Sequence, residues 1–126
     1  MSVVLDASAV LAVLNGEPGA GLVEQVLVGG SISAVNFSEV IAKLVDNGLD
    51  DDEALGALDA LALTIHPFDV AQARRAGLLR RQTRHYGLSL GDRACVALAV
   101  GLGVPAMTAD QAWAGLDLDL EVTLIR

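Results

Sequence analysis

Short apolar runs alternate along this chain with longer segments of helical character, and that alternation restricts the fold more than any other feature. Runs at about residues 3–5, 31–33, 63–66, 105–108 and 121–125 are brief and largely apolar and read as strands. Segments 7–14, 19–28, 35–47, 51–62, 69–84 and 90–102 read as helices. Gly16 with Pro18, Gly29-Gly30, Gly48, Pro67, Gly87 and Gly103 with Pro105 supply the breaks between them. A strand–helix–strand repeat needs crossover connections, which align successive strands in parallel and lay helices on both faces. The expected class is therefore α/β: a three-layer sandwich around a mainly parallel sheet.

At 126 residues the chain has the size of one domain, taken as residues 1–126. A 53% hydrophobic composition provides enough apolar surface for a core. No run approaches the roughly 18 apolar residues of a membrane span, and no basic amino-terminal segment precedes one, so a cytoplasmic location is expected. The single cysteine, Cys95, lies in ACVALAV and reads as a small buried hydrophobe. A net charge of −8 opposes long-range attraction of a polyanion. The basic residues are nevertheless clustered, five of the eight falling between Arg74 and Arg84. On a continuous helix Arg74, Arg80, Arg81 and Arg84 share about a third of the circumference. That stripe reads either as a solvated helix face or as a contact for nucleic-acid phosphates, with Arg93 a further candidate.

The acidic residues gain a geometry from the fold, because the functional crevice of an open parallel sheet lies beyond the carboxyl ends of its strands. Asp6 follows the first strand and Asp110 the fourth; Glu39 lies early in the helix after the second strand, and Asp92 opens the helix from Gly91. All four are expected at one rim. Each also has an ordinary role as a helix cap, since Asn36-Phe37-Ser38-Glu39 and Ser89-Leu90-Gly91-Asp92 fit a capping-box spacing. Carboxylates gathered without cations repel one another and titrate upward. The sequence offers only Lys43 and Arg93 nearby, whereas a hard divalent ion, Mg²⁺ or Mn²⁺, takes oxygen ligands readily. Hydroxyls at Ser8 and Thr108, two residues from proposed ligands, are placed either to support a carboxylate or to cap local backbone.

Other polar clusters carry less chemistry. His66 and His85 lack the paired spacing of a zinc site, and His85 beside Tyr86 reads as a surface loop. Asp50-Asp51-Asp52-Glu53 opens a helix and reads as a solvated first turn favoured by the helix dipole. A phosphoacceptor receiver domain shares the length and acidity, but it needs an Asp after the third strand and a later lysine. Here His66-Pro67-Phe68 follows that strand and Lys43 is the only lysine.

VVLDASAVLAVLN, VNFSEVIAKL, LSLGDRACVALAVGLGVPAMTAD and the Trp113 beyond them, in that order and spacing, resemble the PIN domain of VapC toxins over nearly the whole chain. The resemblance implies a sheet order 3-2-1-4-5 and a Mg²⁺- or Mn²⁺-dependent endoribonuclease, the toxin of a toxin–antitoxin pair. It places the acidic site at Asp6, Glu39, Asp92 and Asp110, with Ser8, Asn36 and Thr108 in support. It further implies RNA as substrate, products with 5′-phosphate and 3′-hydroxyl ends, a homodimer and a cognate VapB-like antitoxin. More aliphatic side chains in Ala7–Leu14 and Leu22–Val28 than one helix face buries fit either an interface or burial on several sides. A non-catalytic module of the same fold, binding RNA or protein around a structural ion, is the rival reading.

Overall fold

The computed structural model describes residues 2–126. Strands β1 (Val4–Leu5), β2 (Ser31–Ser33), β3 (Thr64–His66), β4 (Ala106–Thr108) and β5 (Val122–Leu124) form one sheet in the order β3-β2-β1-β4-β5, every neighbouring pair parallel. β1 is central and pairs Val4 with both Ser31 and Ala106. The sheet is thus parallel throughout, as crossover helices require.

The pleat divides the apolar residues between two cores. Val3, Leu5, Ile32 and Met107 face helices α1 (Ala7–Asn15), α2 (Ala20–Glu24), α3 (Ala34–Asp46) and α4 (Asp51–Asp59). Val4 and Ala106 face the other way, toward α5 (Val70–Leu78) and α7 (Leu90–Leu102), with Trp113 fully buried among them. α7 is buried continuously from Ala94 to Ala99, because it packs on the sheet, on α3 and on α5 at once. Its run of Ala, Cys and Val allows that close approach. A buried Cys95 fits its reading as a core residue.

Helix boundaries differ from expectation in three places. Segment 19–28 is helical only over Ala20–Glu24, after which a tight Val26 N–H to Val23 carbonyl bond and Gly29-Gly30 turn the chain. Segment 69–84 divides after Leu78 into α5, a short α6 (Arg80–Thr83) and a 3₁₀ turn (Arg84–Tyr86). The break follows Gly77, a poor helix former, yet the buried stripe Ala76, Leu79, Thr83 runs straight through it. Segment 51–62 is helical to Asp59 and ends in Ala62, the one non-glycine residue with positive φ among the described residues (φ 53).

Ala62 is exposed and left-handed, a conformation that costs a Cβ-bearing residue roughly 1–2 kcal/mol. Ala62→Gly is expected to stabilise the fold by about 0.5–1 kcal/mol after the extra freedom of the unfolded chain is subtracted. Thermal unfolding should show a Tm higher by a few degrees; a lower Tm would contradict the cap geometry.

Candidate active site

The first acid is fixed by the sheet itself. Asp6 follows β1, caps α1 and is only 4% exposed. Its Oδ1 accepts the Ala9 N–H at 2.9 Å and the Ser8 hydroxyl at 2.7 Å, and its Oδ2 accepts the Thr108 hydroxyl at 2.5 Å. Ser8 Oγ in turn accepts the Ala109 N–H at 2.9 Å, and Thr108 Oγ1 accepts the Asp110 N–H at 3.0 Å. Each hydroxyl therefore supports the carboxylate and caps backbone together. These bonds tie the ends of β1 and β4 into one rigid rim.

The second group comes from α3 and α7. Ser33, not Asn36, caps α3, its hydroxyl accepting the Val35 N–H, so the capping-box reading of Asn36 to Glu39 is corrected. The two instead lie one turn apart inside the helix, on one face. Buried Asn36 donates through Nδ2 to Glu39 Oε1 at 2.9 Å and to the Gly91 carbonyl at 3.0 Å. Glu39 lies so closely over Gly91 that a Cβ there would overlap its carboxylate. Gly91 escaped sequence reasoning, since a glycine in a first helical turn carries no chemistry of its own.

Asp92 and Asp110 do cap helix ends, as their alternative reading anticipated. Asp92 Oδ2 accepts the Ser89 N–H at 2.9 Å in a complete capping box, and Asp110 Oδ1 accepts the Ala112 N–H at 2.9 Å at the start of a 3₁₀ turn, Gln111–Gly115. Asp92 nevertheless belongs with Asp6. Burial raises the pKa of Asp6 above the usual 3.8, bonds from Thr108, Ser8 and Ala9 oppose the shift, and the negative charge of Asp92 adds to it. The Cys95 thiol is pushed far up by burial, with Asp6, Asp92 and Glu39 reinforcing the shift. Three of the four acids thus act on one buried point of α7. Asp110 is exposed, and its backbone N–H, not its carboxylate, is tied to Asp6 through the shared Thr108 hydroxyl.

No cationic side chain answers this charge: the one ion pair among the described residues joins Arg126 to Glu17. Arg93 donates to the Ala76 carbonyl at 3.0 Å, fastening α7 to α5, while Arg74, Arg80, Arg81 and Arg84 are exposed. No three His, Cys, Asp or Glu side chains among the described residues form a ready-made metal cage. The donor chemistry still suits a hard cation. Mg²⁺ keeps several waters and commonly takes only one or two carboxylates, and buried Asn36 Oδ1 lacks a donor that such a water would supply. The Asp50–Glu53 run is a closed capping box, and His66 Nε2 pairs with Ser31 Oγ at 3.0 Å, away from the acids. A cavity of about 510 Å³ is lined by Val100, Gly103, Pro105 and Leu120 at the opposite rim.

A family model for the PIN domain matches residues 3–117. The chain belongs to the PIN-domain family. No curated protein matches this PIN domain in sequence. Its fold is shared with solved structures of low identity. VapBC2 from Rickettsia felis, bound to a DNA fragment from its promoter, is 17% identical at a TM-score of 0.75, covering 98% of each chain. VapBC-5 from Mycobacterium tuberculosis is 24% identical at 0.67, covering 99% of this chain and 98% of that one. VapC20 from Mycobacterium tuberculosis, described as a sarcin–ricin loop cleaving toxin, is 14% identical at 0.68, covering 94% and 98%.

The raised pKa of Asp6 has a sign that melting can read. The folded chain holds this proton to higher pH than the unfolded chain does, so in the absence of divalent ions stability falls as pH rises from about 3.8 through the raised folded value. Asp6→Asn removes that loss. Its Tm relative to the parent, measured in chelator, should rise with pH across this window and then level off; a difference independent of pH would contradict the burial argument.

Proposed function

We propose that this PIN domain is a Mg²⁺- or Mn²⁺-dependent endoribonuclease and the toxin of a toxin–antitoxin pair. The observation that carries the reading is the unneutralised acidic rim: a buried Asp6 locked by Ser8 and Thr108, repelled by Asp92, with no cationic side chain bonded to either. Such an arrangement opposes folding in the metal-free chain, so it calls for a function outside stability. Nuclease activity accords with the PIN-domain family and with the sarcin–ricin loop cleavage named for the VapC20 neighbour.

Asp6 is rigid and partly desolvated and serves as the principal ligand, with Asp92 and Glu39 completing the shell directly or through waters. A divalent ion bound there lowers the pKa of coordinated water and neutralises charge on a phosphate under in-line attack. Thr108 and Ser8 hold both Asp6 oxygens in place, so the carboxylate needs no reorganisation. Asn36 sets Glu39 against the amino end of α7. Asp110, on the exposed lip, orients the attacking water or holds a second ion. Products end in 5′-phosphate and 3′-hydroxyl.

The VapBC complexes among the fold neighbours support a VapB-like antitoxin as partner. An antitoxin arginine or lysine entering the rim would meet unpaired carboxylates and compete with the ion. Leu22 and Val28, exposed at 46% and 95%, offer apolar surface for that partner or for a homodimer.

Purified chain should cleave RNA only with Mg²⁺ or Mn²⁺, and Asp6→Asn should lower the rate by about a hundredfold or more. A 2′,3′-cyclic phosphate at the new ends, or equal cleavage in chelator, rejects the mechanism. No cleavage by either form favours the non-catalytic module. Gly91→Ala is a finer test: the added methyl favours the helix by up to about 1 kcal/mol, yet it displaces the Glu39 carboxylate. Tm should hold or rise while Mg²⁺ binding by calorimetry weakens; unchanged ion binding would remove Glu39 from the shell.

A further inference from the structure

We infer that Arg80, Arg81 and Arg84 form a docking strip for the phosphodiester backbone of single-stranded RNA beside the acidic rim. This rests on the nuclease reading for what happens to the strand, but its own argument is one of charge and placement.

The chain carries 16 acidic residues, yet none occurs between Asp69 and Asp92, and five of its arginines fall in that interval. Arg75 is engaged, donating to the Ala97 carbonyl at 3.4 Å and lying over Gly101. Arg80, Arg81 and Arg84 are exposed and make no side-chain hydrogen bond or ion pair among the described residues. Their backbone is nonetheless fixed: Leu79 and Thr83 are buried on the opposite side, and the Thr83 hydroxyl donates to the Leu79 carbonyl at 2.8 Å. Unpaired guanidinium groups on a fixed backbone are suited to phosphate oxygens.

Placement joins this strip to the site. Ala76 meets Arg93 near the start of α7, whereas Gln72, one turn earlier in α5, lies against Gly101 near its end. α5 therefore runs antiparallel to α7, and its carboxyl end arrives at the end of α7 that carries Asp92. α6 and the following turn lie beyond that point. Tyr86 then donates to the Gly115 carbonyl at 2.6 Å, touching the 3₁₀ turn that Asp110 caps. The strip is thus flanked by the elements that carry two of the four acids. Arg74 lies back along α5, away from the rim, and Arg93 is committed to Ala76. Of the arginines nominated from sequence, only these three combine freedom with proximity. An acidic pocket repels RNA, and a neighbouring cationic strip offsets that repulsion at distances shorter than the screening length of about 8–10 Å.

The test reads binding rather than cleavage. A fluorescent 20-nucleotide single-stranded RNA of mixed sequence is titrated in Ca²⁺ against the full chain at several salt concentrations. The Arg80→Gln, Arg81→Gln, Arg84→Gln triple variant should bind about tenfold or more weakly at low salt. The slope of log K against log salt should fall by about 2, at about 0.7 per lost phosphate contact on a single strand. Lysine at all three positions should restore most of that slope, and Arg74→Gln should leave it unchanged. An unaltered slope in a triple variant that melts like the parent overturns the strip. Competition by polyglutamate as effective as by RNA overturns it in favour of an acidic protein partner. RNA binding lost in the triple variant, with no cleavage by the parent under any divalent ion, upholds the strip and rejects the nuclease reading.

Discussion

The placement of one buried carboxylate governs the rest of this structure. Asp6 ends the central strand, and its two oxygens collect donors from α1 and from the end of β4, so the rim is built by bonds between neighbouring strand ends. Both hydroxyls that donate to Asp6 also accept backbone N–H groups, at Ala109 and Asp110. The carboxylate, the turn after β4 and the first turn of α1 therefore move as one body. Burial makes Asp6 costly to ionise, and the same burial excludes competing water and strengthens its attraction for a cation.

Around that fixed acid the other elements contribute by close approach. α7 reaches the sheet because its middle is small and apolar, and its first turn meets α3 because Gly91 leaves room for Glu39. Asn36 spans that contact with both amide hydrogens. Specificity of position is thus shared between hydrogen bonds at Asp6 and a missing side chain at Gly91.

Much of this was legible in the sequence. Helix 90–102 and strand 31–33 match to the residue, since Ser89 and Gly103, or flanking glycine and helix start, mark them locally. That Asp6, Asp92 and Glu39 all lie near Cys95 accords with strand ends and helix starts in a parallel sheet, but no three acids among the described residues close into one metal-holding group and Asp110 stands apart on the surface. What local pattern could not show was competition between equivalent spacings. Asn36 and Glu39 have the same separation whether they cap a helix or face each other within it, and only Ser33 decides. Periodicity likewise carried one helix through Leu79, where the buried stripe continues although the helix does not. The commitment of Arg93 to α5, against the freedom of Arg80, depends on which helix lies alongside, which is tertiary information.

Asp92 and Asp110 each hold a helix-end N–H that no other side chain serves. A cation recruited there would share these carboxylates with the protein's own backbone, since one oxygen of each already accepts an N–H and the other does not. The two helix starts are consequently held by the protein's own acids whether or not an ion is present.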